Sequence, residues 1–357
     1  MEGALCKELK SMGYKIVQTF RGRVLFNAPL QDVFKLNLWL RTAERVVLVL
    51  KRFEAETFDE LFDGISQIPW GDYINKKGAF PIVKVRSNKS NLFSLSDIQA
   101  ISKKAIVSSL SKKYGTIIFE EKYPIYPIHI YIKKNVVTVG IDTTGKEGLH
   151  KRGYRKYVST APLRETIAAG IIISSNWDFN KSLIDPFCGS GTIPIEASML
   201  AMNIAPGIGR RFACNNWPFF NKYQWNFELE KAKESIKNID LSIIGSDISS
   251  EMIKIAKLNA KSLNLHGKIR FEIKDFFEYI QIPTESWIVT NLPYGQRLKI
   301  RKNKIIRHFK EIFENNKDIS LHFLSDSEKV PKIFGRKPKR IIIIYNSGLK
   351  VYLYQFW

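Results

Sequence analysis

The chain has 357 residues, 45% of them hydrophobic, which allows more than one buried core and exceeds the usual size of a single domain. Its 56 Lys and Arg against 34 Asp and Glu give a net charge of +22, an imbalance that points to a polyanionic partner. No apolar run approaches the ~20 residues that cross a bilayer, no signal-peptide core opens the chain, and Cys6, Cys188 and Cys214 suggest neither a disulfide framework nor a metal site, so a cytoplasmic protein without membrane or metal is expected.

The first forty residues read as a hairpin plus helix. Tyr14 to Phe20 and Arg23 to Asn27 are strand-like around Arg21-Gly22, and Leu30 to Leu40 has helical spacing. A β-rich run, Arg45 to Leu50, precedes a helix near Thr57 to Gln67, with Thr57 and Glu60 in capping-box register. Phe80 to Val85 alternates as a strand. Ser96 to Ser111 predicts a helix with Ser96 as its cap and basic pairs Lys103-Lys104 and Lys112-Lys113. Ile128 to Ile132 and Val136 to Ile141 flank Lys133-Lys134-Asn135 as a second hairpin. Between Gly145 and Tyr157 the composition shifts, and Lys146, His150, Lys151, Arg152, Arg155 and Lys156 crowd a stretch with two tyrosines. A basic linker touching a phosphate chain is the expectation there. The excess charge is shared: residues 1–155 hold 26 Lys/Arg against 15 Asp/Glu, the remainder 30 against 19. Both halves are therefore expected to touch one long substrate.

Pro162 suits the first turn of a helix running to about Ser174. Strands and helices then alternate: strand 182–187, helix 192–203, strand 242–247, helix 249–263, strands 268–274 and 286–290, helix 303–315, strand 318–324. An insertion at roughly 204–241 interrupts the alternation. Arg340 to Tyr345 and Lys350 to Phe356 close the chain as a hairpin around Asn346-Ser347-Gly348. Repeated alternation means a parallel sheet covered by helices on both faces.

In such a sheet, ligands bind beyond the carboxyl ends of the strands where the strand order switches. Asp185-Pro186-Phe187-Cys188-Gly189-Ser190-Gly191 lies at such an end and turns an apolar strand into a helix. Gly189 and Gly191 let backbone amides approach a nucleotide-like cofactor, and Asp185 can accept from a cationic amino group. Asp247, with Ile248 after it, ends the next strand; a carboxylate there suits both hydroxyls of a ribose. Asp275, followed by Phe276, is placed to accept from an adenine amino group. Asn291-Leu292-Pro293-Tyr294 ends a further apolar strand. The lone pair of an exocyclic amine on a base is delocalised into the ring. Acceptors on its protons, from the Asn291 side chain and a carbonyl of Leu292 or Pro293, stabilise the charge that develops as a methyl arrives. Tyr294 offers a face for the base. Arg297 to Lys310 holds seven Lys/Arg and no acidic residue, and Lys329 to Arg340 adds six more, as backbone-phosphate contacts would require.

These residues resemble the THUMP-domain RNA methyltransferases, in particular the bacterial group that methylates guanine N2 in large-subunit ribosomal RNA. The resemblance rests on Leu40-Arg41-Thr42-Ala43, Thr57 to Phe62, Pro69-Trp70 and Gln99 with Lys103-Lys104-Ala105. It continues through Leu149 to Arg155, Ala161 to Thr166, Asp185 to Glu196 and Asn203 to Gly207. It implies an α/β architecture: a ferredoxin-like segment (1–42), a THUMP RNA-binding domain (43–145), a basic linker (146–160) and a Rossmann-like class I methyltransferase domain (161–357). The last would carry a mixed seven-stranded sheet with a C-terminal antiparallel hairpin. S-adenosylmethionine is the implied cofactor and 23S ribosomal RNA the implied partner, with Lys103, Lys104, Lys151, Arg152, Arg155, Arg297, Lys299 and Arg301 as RNA contacts. Transfer RNA guanine, adenine N6 and a non-enzymatic assembly factor stay open as alternatives. The family's reactive motif is usually Asn-Pro-Pro-Tyr; Leu292 replaces the first proline and is expected to keep the carbonyl while relaxing the loop.

Overall fold

The computed structural model describes residues 1–155, 163–293, 299–316, 318–346 and 348–357. Helix α1 (Glu2–Ser11) precedes the antiparallel hairpin β1 (Lys15–Phe20) and β2 (Arg23–Asn27), and a 3-10 turn leads into α2 (Val33–Trp39). The sequence reading lacked α1, and its buried face shows why. Ala4 and Leu9 share that face with Glu8, whose carboxylate accepts from the Arg41 and Thr42 amides at 2.6 and 3.1 Å. A buried acid hides the apolar stripe that marks a helix.

The second unit is a four-stranded sheet in the order β3 (Val47–Glu54), β6 (Val136–Asp142), β5 (Ile128–Lys133), β4 (Ile82–Asn88). Helices α3 (Phe58–Ser66), α4 (Trp70–Tyr73) and α5 (Leu95–Tyr114) share its core with Ile130, Ile132, Val137 and Val139. Thr57 and Glu60 form the expected capping box. Helix α5 starts earlier than expected: Ser94, not Ser96, is its N-cap, its hydroxyl accepts no capping bond from the backbone, and the two hydroxyls pair with each other at 3.2 Å.

The third unit is a seven-stranded sheet in the order β12 (Arg340–Asn346), β13 (Leu349–Phe356), β11 (Ser320–Ser325), β10 (Trp287–Asn291), β7 (Leu183–Asp185), β8 (Ile243–Asp247), β9 (Arg270–Ile273). Strands β7 to β11 are parallel, and β13 runs antiparallel between β11 and β12. Helices α6 (Glu165–Ser175), α7 (Thr192–Ala201), α9 (Ser250–Lys261), α10 (Lys299–Asn315) and α11 (Val330–Phe334) belong to this unit. Strand β7 has β8 on one side and β10 on the other, so the order switches at β7 and the cleft opens there.

The insertion after α7 carries α8 (Lys222–Glu234) and turns back to the front of the molecule. Trp217 stacks on Tyr126 at 5.2 Å and donates to the Ile125 carbonyl, while Trp225 packs on Phe34 at 5.8 Å. Phe212, Cys214, Trp217 and Trp225 thus belong to the front core. The junction at 149–155 is likewise an interior seam, with Leu149, Arg152 and Tyr154 all buried.

Candidate cofactor and base-binding site

The loop after β7 is held from three sides. Asp185 is 1% exposed and accepts from the Phe187 amide at 3.2 Å and the Thr290 hydroxyl at 2.5 Å. Burial pushes its carboxyl up to about 7; the two donors oppose the shift and the charge of Asp247 adds to it. The Cys188 amide donates to the Ser246 carbonyl, and burial raises its thiol well above the ordinary range, so this cysteine is a packed neutral group. Pro186 is buried, and Phe187 packs on Phe276 at 4.8 Å. The Ser190 carbonyl accepts from buried Asn259.

The two glycines differ in kind. At Gly189 (φ +51°) nothing lies within 4 Å of where a Cβ would stand, so that side of the loop is open to a ligand. At Gly191 (φ +83°) a Cβ would meet Ala256 at 3.0 Å and Phe271 at 3.1 Å, so this glycine seats α7 against α9 and β9.

Asp247 joins this loop to the next. One carboxylate oxygen accepts from the Gly189 amide at 3.1 Å and the other from the Ser249 amide at 2.9 Å. Ser249, not Asp247, caps α9. The Asp247 carboxylate is partly exposed, and Ile248 beside it is 59% exposed, an apolar surface fit for a planar ring. Asp275 caps the short 3-10 turn Phe276–Glu278 by accepting from the Phe277 amide. Phe276 is buried between Phe187 and Phe309, beneath the surface rather than on it; Phe277, at 39% exposure, is its accessible neighbour.

Asn291 closes β10 opposite Leu324 of β11. Leu292 corrects the expectation of a relaxed loop. It is fully buried, and its amide donates to the Leu324 carbonyl at 3.2 Å, a bond proline cannot make. Pro293 is partly buried. Tyr294 and Arg297 lie outside the described residues, as do the side chains of Lys299 and Arg301. Thr290 was missed in the sequence, although a polar residue ending the apolar run Trp287-Ile288-Val289 was its signal. It ties β10 to the loop after β7.

Several basic residues expected to touch RNA have partners within the protein. Arg152 is 4% exposed, pairs with Glu196 at 3.4 Å and donates to the Leu149 and Arg41 carbonyls, so it holds the interior seam. Arg155 pairs with Glu165 and donates to the Leu163 carbonyl. Lys103 pairs with Glu121 and lies 3.5 Å from the centre of the Phe80 ring. Lys302, inside the basic run, is buried against Asp326. Lys104 and Lys151 are exposed.

An open glycine cradle, a partly exposed carboxylate at the end of β8, an exposed isoleucine beside it and a buried acid under the loop fit S-adenosylmethionine. No described helix is long and apolar enough to cross a membrane. Residues 152–351 match a family model described as RMKL-like, methyltransferase domain. Residues 1–47 match the RlmL ferredoxin-like domain and 55–142 the THUMP domain. The chain is 36% identical to the Bacillus subtilis protein YpsC, named as a candidate RNA methyltransferase, over all of this chain and 93% of that one. It is 32% identical to the ribosomal RNA large subunit methyltransferase K/L of Shewanella frigidimarina over 83% of its own length, and spans 42% of that longer protein. The crystal structure of SMU.472, described as a methyltransferase candidate complexed with SAH, superposes with a TM-score of 0.91 at 37% identity, covering all of this chain and 95% of that one. The chain belongs to the RMKL-like methyltransferase family, in the form that carries ferredoxin-like and THUMP domains ahead of the catalytic domain, and its cofactor is S-adenosylmethionine.

Proposed function

We propose that this methyltransferase modifies the exocyclic N2 amine of a guanine in 23S ribosomal RNA, which would place it in the cytoplasm. The observation that carries the reading is the hydrogen bond from Thr290 to Asp185, which fixes the strand ending in Asn291 beside the cofactor loop. The THUMP match and the name of the K/L relative favour ribosomal RNA as substrate.

When bound, S-adenosylmethionine supplies a methyl group on a sulfonium. Gly189 offers its open side to it, Asp247 a carboxylate for the ribose, Ile248 an apolar face and Asp275 an acceptor for the adenine amine. The chain's own chemistry lies in the acceptors at the end of β10. The Asn291 side-chain oxygen and the Leu292 or Pro293 carbonyl accept hydrogen bonds from the base amine, which favours a localised lone pair. The Leu292–Leu324 bond pins the Asn291–Leu292 peptide, immediately ahead of those carbonyls. Tyr294 is assigned to stack on the base. The rest of the rate comes from alignment, and the acidic product ammonium loses its proton to water.

Nucleosides of 23S RNA from a deletion strain should lack one N2-methylguanosine that wild-type enzyme restores and Asn291→Ala does not, with cofactor binding retained by calorimetry. Restoration of N2-methylguanosine in transfer RNA, or of N6-methyladenosine, would reassign the substrate. No change in any RNA alongside intact cofactor binding would leave a scaffold.

A further inference from the structure

The face of the four-stranded sheet turned away from α3 and α5 is built from cations in register. Strand pairing places Arg86, Tyr131, Thr138 and Arg52 in one row across all four strands. The row above carries Lys84 and His129, and the row below Asn88, Lys133, Val136 and Glu54. The tip of the β1–β2 hairpin reaches this face. Arg23 stands with its guanidinium 4.1 Å from the centre of the Tyr131 ring and 5.6 Å from that of Phe20. Arg52 and Lys133 lie 6.0 and 5.2 Å from the same Phe20 ring.

Five cations therefore gather here, Arg23, Arg52, Lys84, Arg86 and Lys133, and none forms an ion pair among the described residues. The buried carboxylate nearby, Asp142, is occupied by Arg45 at 2.5 Å and His129 at 3.5 Å. Glu54 is exposed at one corner. Some basic side chains elsewhere are neutralised, as Lys103, Lys113 and Arg152 are by Glu121, Asp72 and Glu196. Gathering like charges without counter-charges costs free energy in the free protein. Burial together with Arg86 and Arg52 depresses the Arg23 guanidinium, and burial together with Arg86 and Arg45 depresses the Lys84 amine. A chain of phosphates relieves that repulsion and releases condensed counterions. Tyr131 is covered by Arg23 and is not free to stack on a base. Its ring fixes a planar guanidinium, the geometry for paired hydrogen bonds to phosphate.

We infer that the hairpin tip and the open face of the THUMP sheet form one track for the phosphodiester backbone of RNA, with Arg23, Arg52, Lys84, Arg86 and Lys133 as its phosphate contacts. This rests on RNA being the substrate. It places the grip on the sheet side, assembled from two domains, rather than on α5.

The test is fluorescence anisotropy of the full-length protein with a labelled structured fragment of 23S RNA at several salt concentrations. Arg52 and Arg86 are exposed, so Arg52→Ala with Arg86→Ala should fold normally, checked by unchanged thermal unfolding and cofactor affinity. Affinity should fall at least about tenfold in 0.1 M salt, and the slope of log K against log salt should shrink by about 1.4–1.8, two phosphate contacts' worth. Lys104→Ala with Lys112→Ala, two exposed cations on α5 with no ion pair among the described residues, removes the same charge and should change affinity less than about twofold. Wild-type affinity and slope in the sheet variant, or equal losses in both variants, would overturn the track while leaving the substrate reading intact. Wild-type protein that fails to bind the RNA would overturn both.

Discussion

Asp185 is an acid whose folded-state value, about 7, lies above its ordinary 3.8, chiefly through burial. It holds its proton more tightly folded than unfolded. Its contribution to stability is therefore present below about pH 4 and is lost as pH rises toward 7. In the proposed site a cationic group of the cofactor beside it would favour the ionised form. Cofactor affinity should thus rise about tenfold per pH unit up to about pH 7 and level off above it, as titration calorimetry across that range would show. A flat profile would remove Asp185 from the binding site. Thr290→Val deletes a donor to the carboxylate, so the break should move to higher pH and affinity at neutral pH should fall by about tenfold to a hundredfold. The positions of Asp185, Asp247 and Asn291 were legible because each ends a recognisable strand, and that of Gly189 because it lies in the turn from β7 into α7. The direction of Arg152 was not: an arginine in a basic run reads as solvated, and its carboxylate partner Glu196 lies on a helix much later in the chain.

Leu292 belongs to the residue scale as well, because the sequence departs from its family there and the structure supplies the reason. Leu292→Pro would restore the usual motif yet strand the Leu324 carbonyl and empty part of the core. A loss of about 1–3 kcal/mol in denaturant unfolding is expected, with cofactor affinity kept. Unchanged stability would mean that the amide bond and the buried side chain contribute nothing.

Among the elements, the loop that begins α7 separates two functions of glycine. Gly191→Ala places a methyl against Ala256 and Phe271 at a positive φ, and should destabilise the fold by about 2–4 kcal/mol. Gly189→Ala adds a methyl into open space, so only the backbone cost of about 1–2 kcal/mol applies. Its larger effect should be on cofactor affinity, because the methyl occupies the side offered to the ligand. Thermal unfolding with and without S-adenosylmethionine distinguishes the two; equal cofactor-induced stabilisation in Gly189→Ala and wild type would contradict the cradle. Elements with local signals were readable, such as the capping box of α3 and the alternating strands. Helix α8 was not, because few of its residues are buried and its partners, Phe34 and Phe212, lie outside it.

Across the whole molecule, the front and rear units are locked by buried and half-buried polar groups. Arg41 donates to the Ile204 carbonyl, Arg152 to the Arg41 carbonyl and to Glu196, Tyr154 to Glu196, and Thr166 and His150 meet at Glu44. Residues from the methyltransferase insertion complete the front core. The THUMP and methyltransferase units are thereby held in a fixed relation, which the proposed selection of one base in a long RNA would require. Arg152→Met leaves Glu196 buried without its countercharge and should cost about 3–5 kcal/mol of stability. Adding Glu196→Leu removes the stranded charge, so the double variant should be more stable than Arg152→Met alone, and the two effects should miss additivity by at least about 1 kcal/mol. Denaturant unfolding of the four proteins completes the cycle. Simple additivity would show that the ion pair does not couple the junction to α7, and the lock would then rest on the apolar contacts of Trp217 and Trp225.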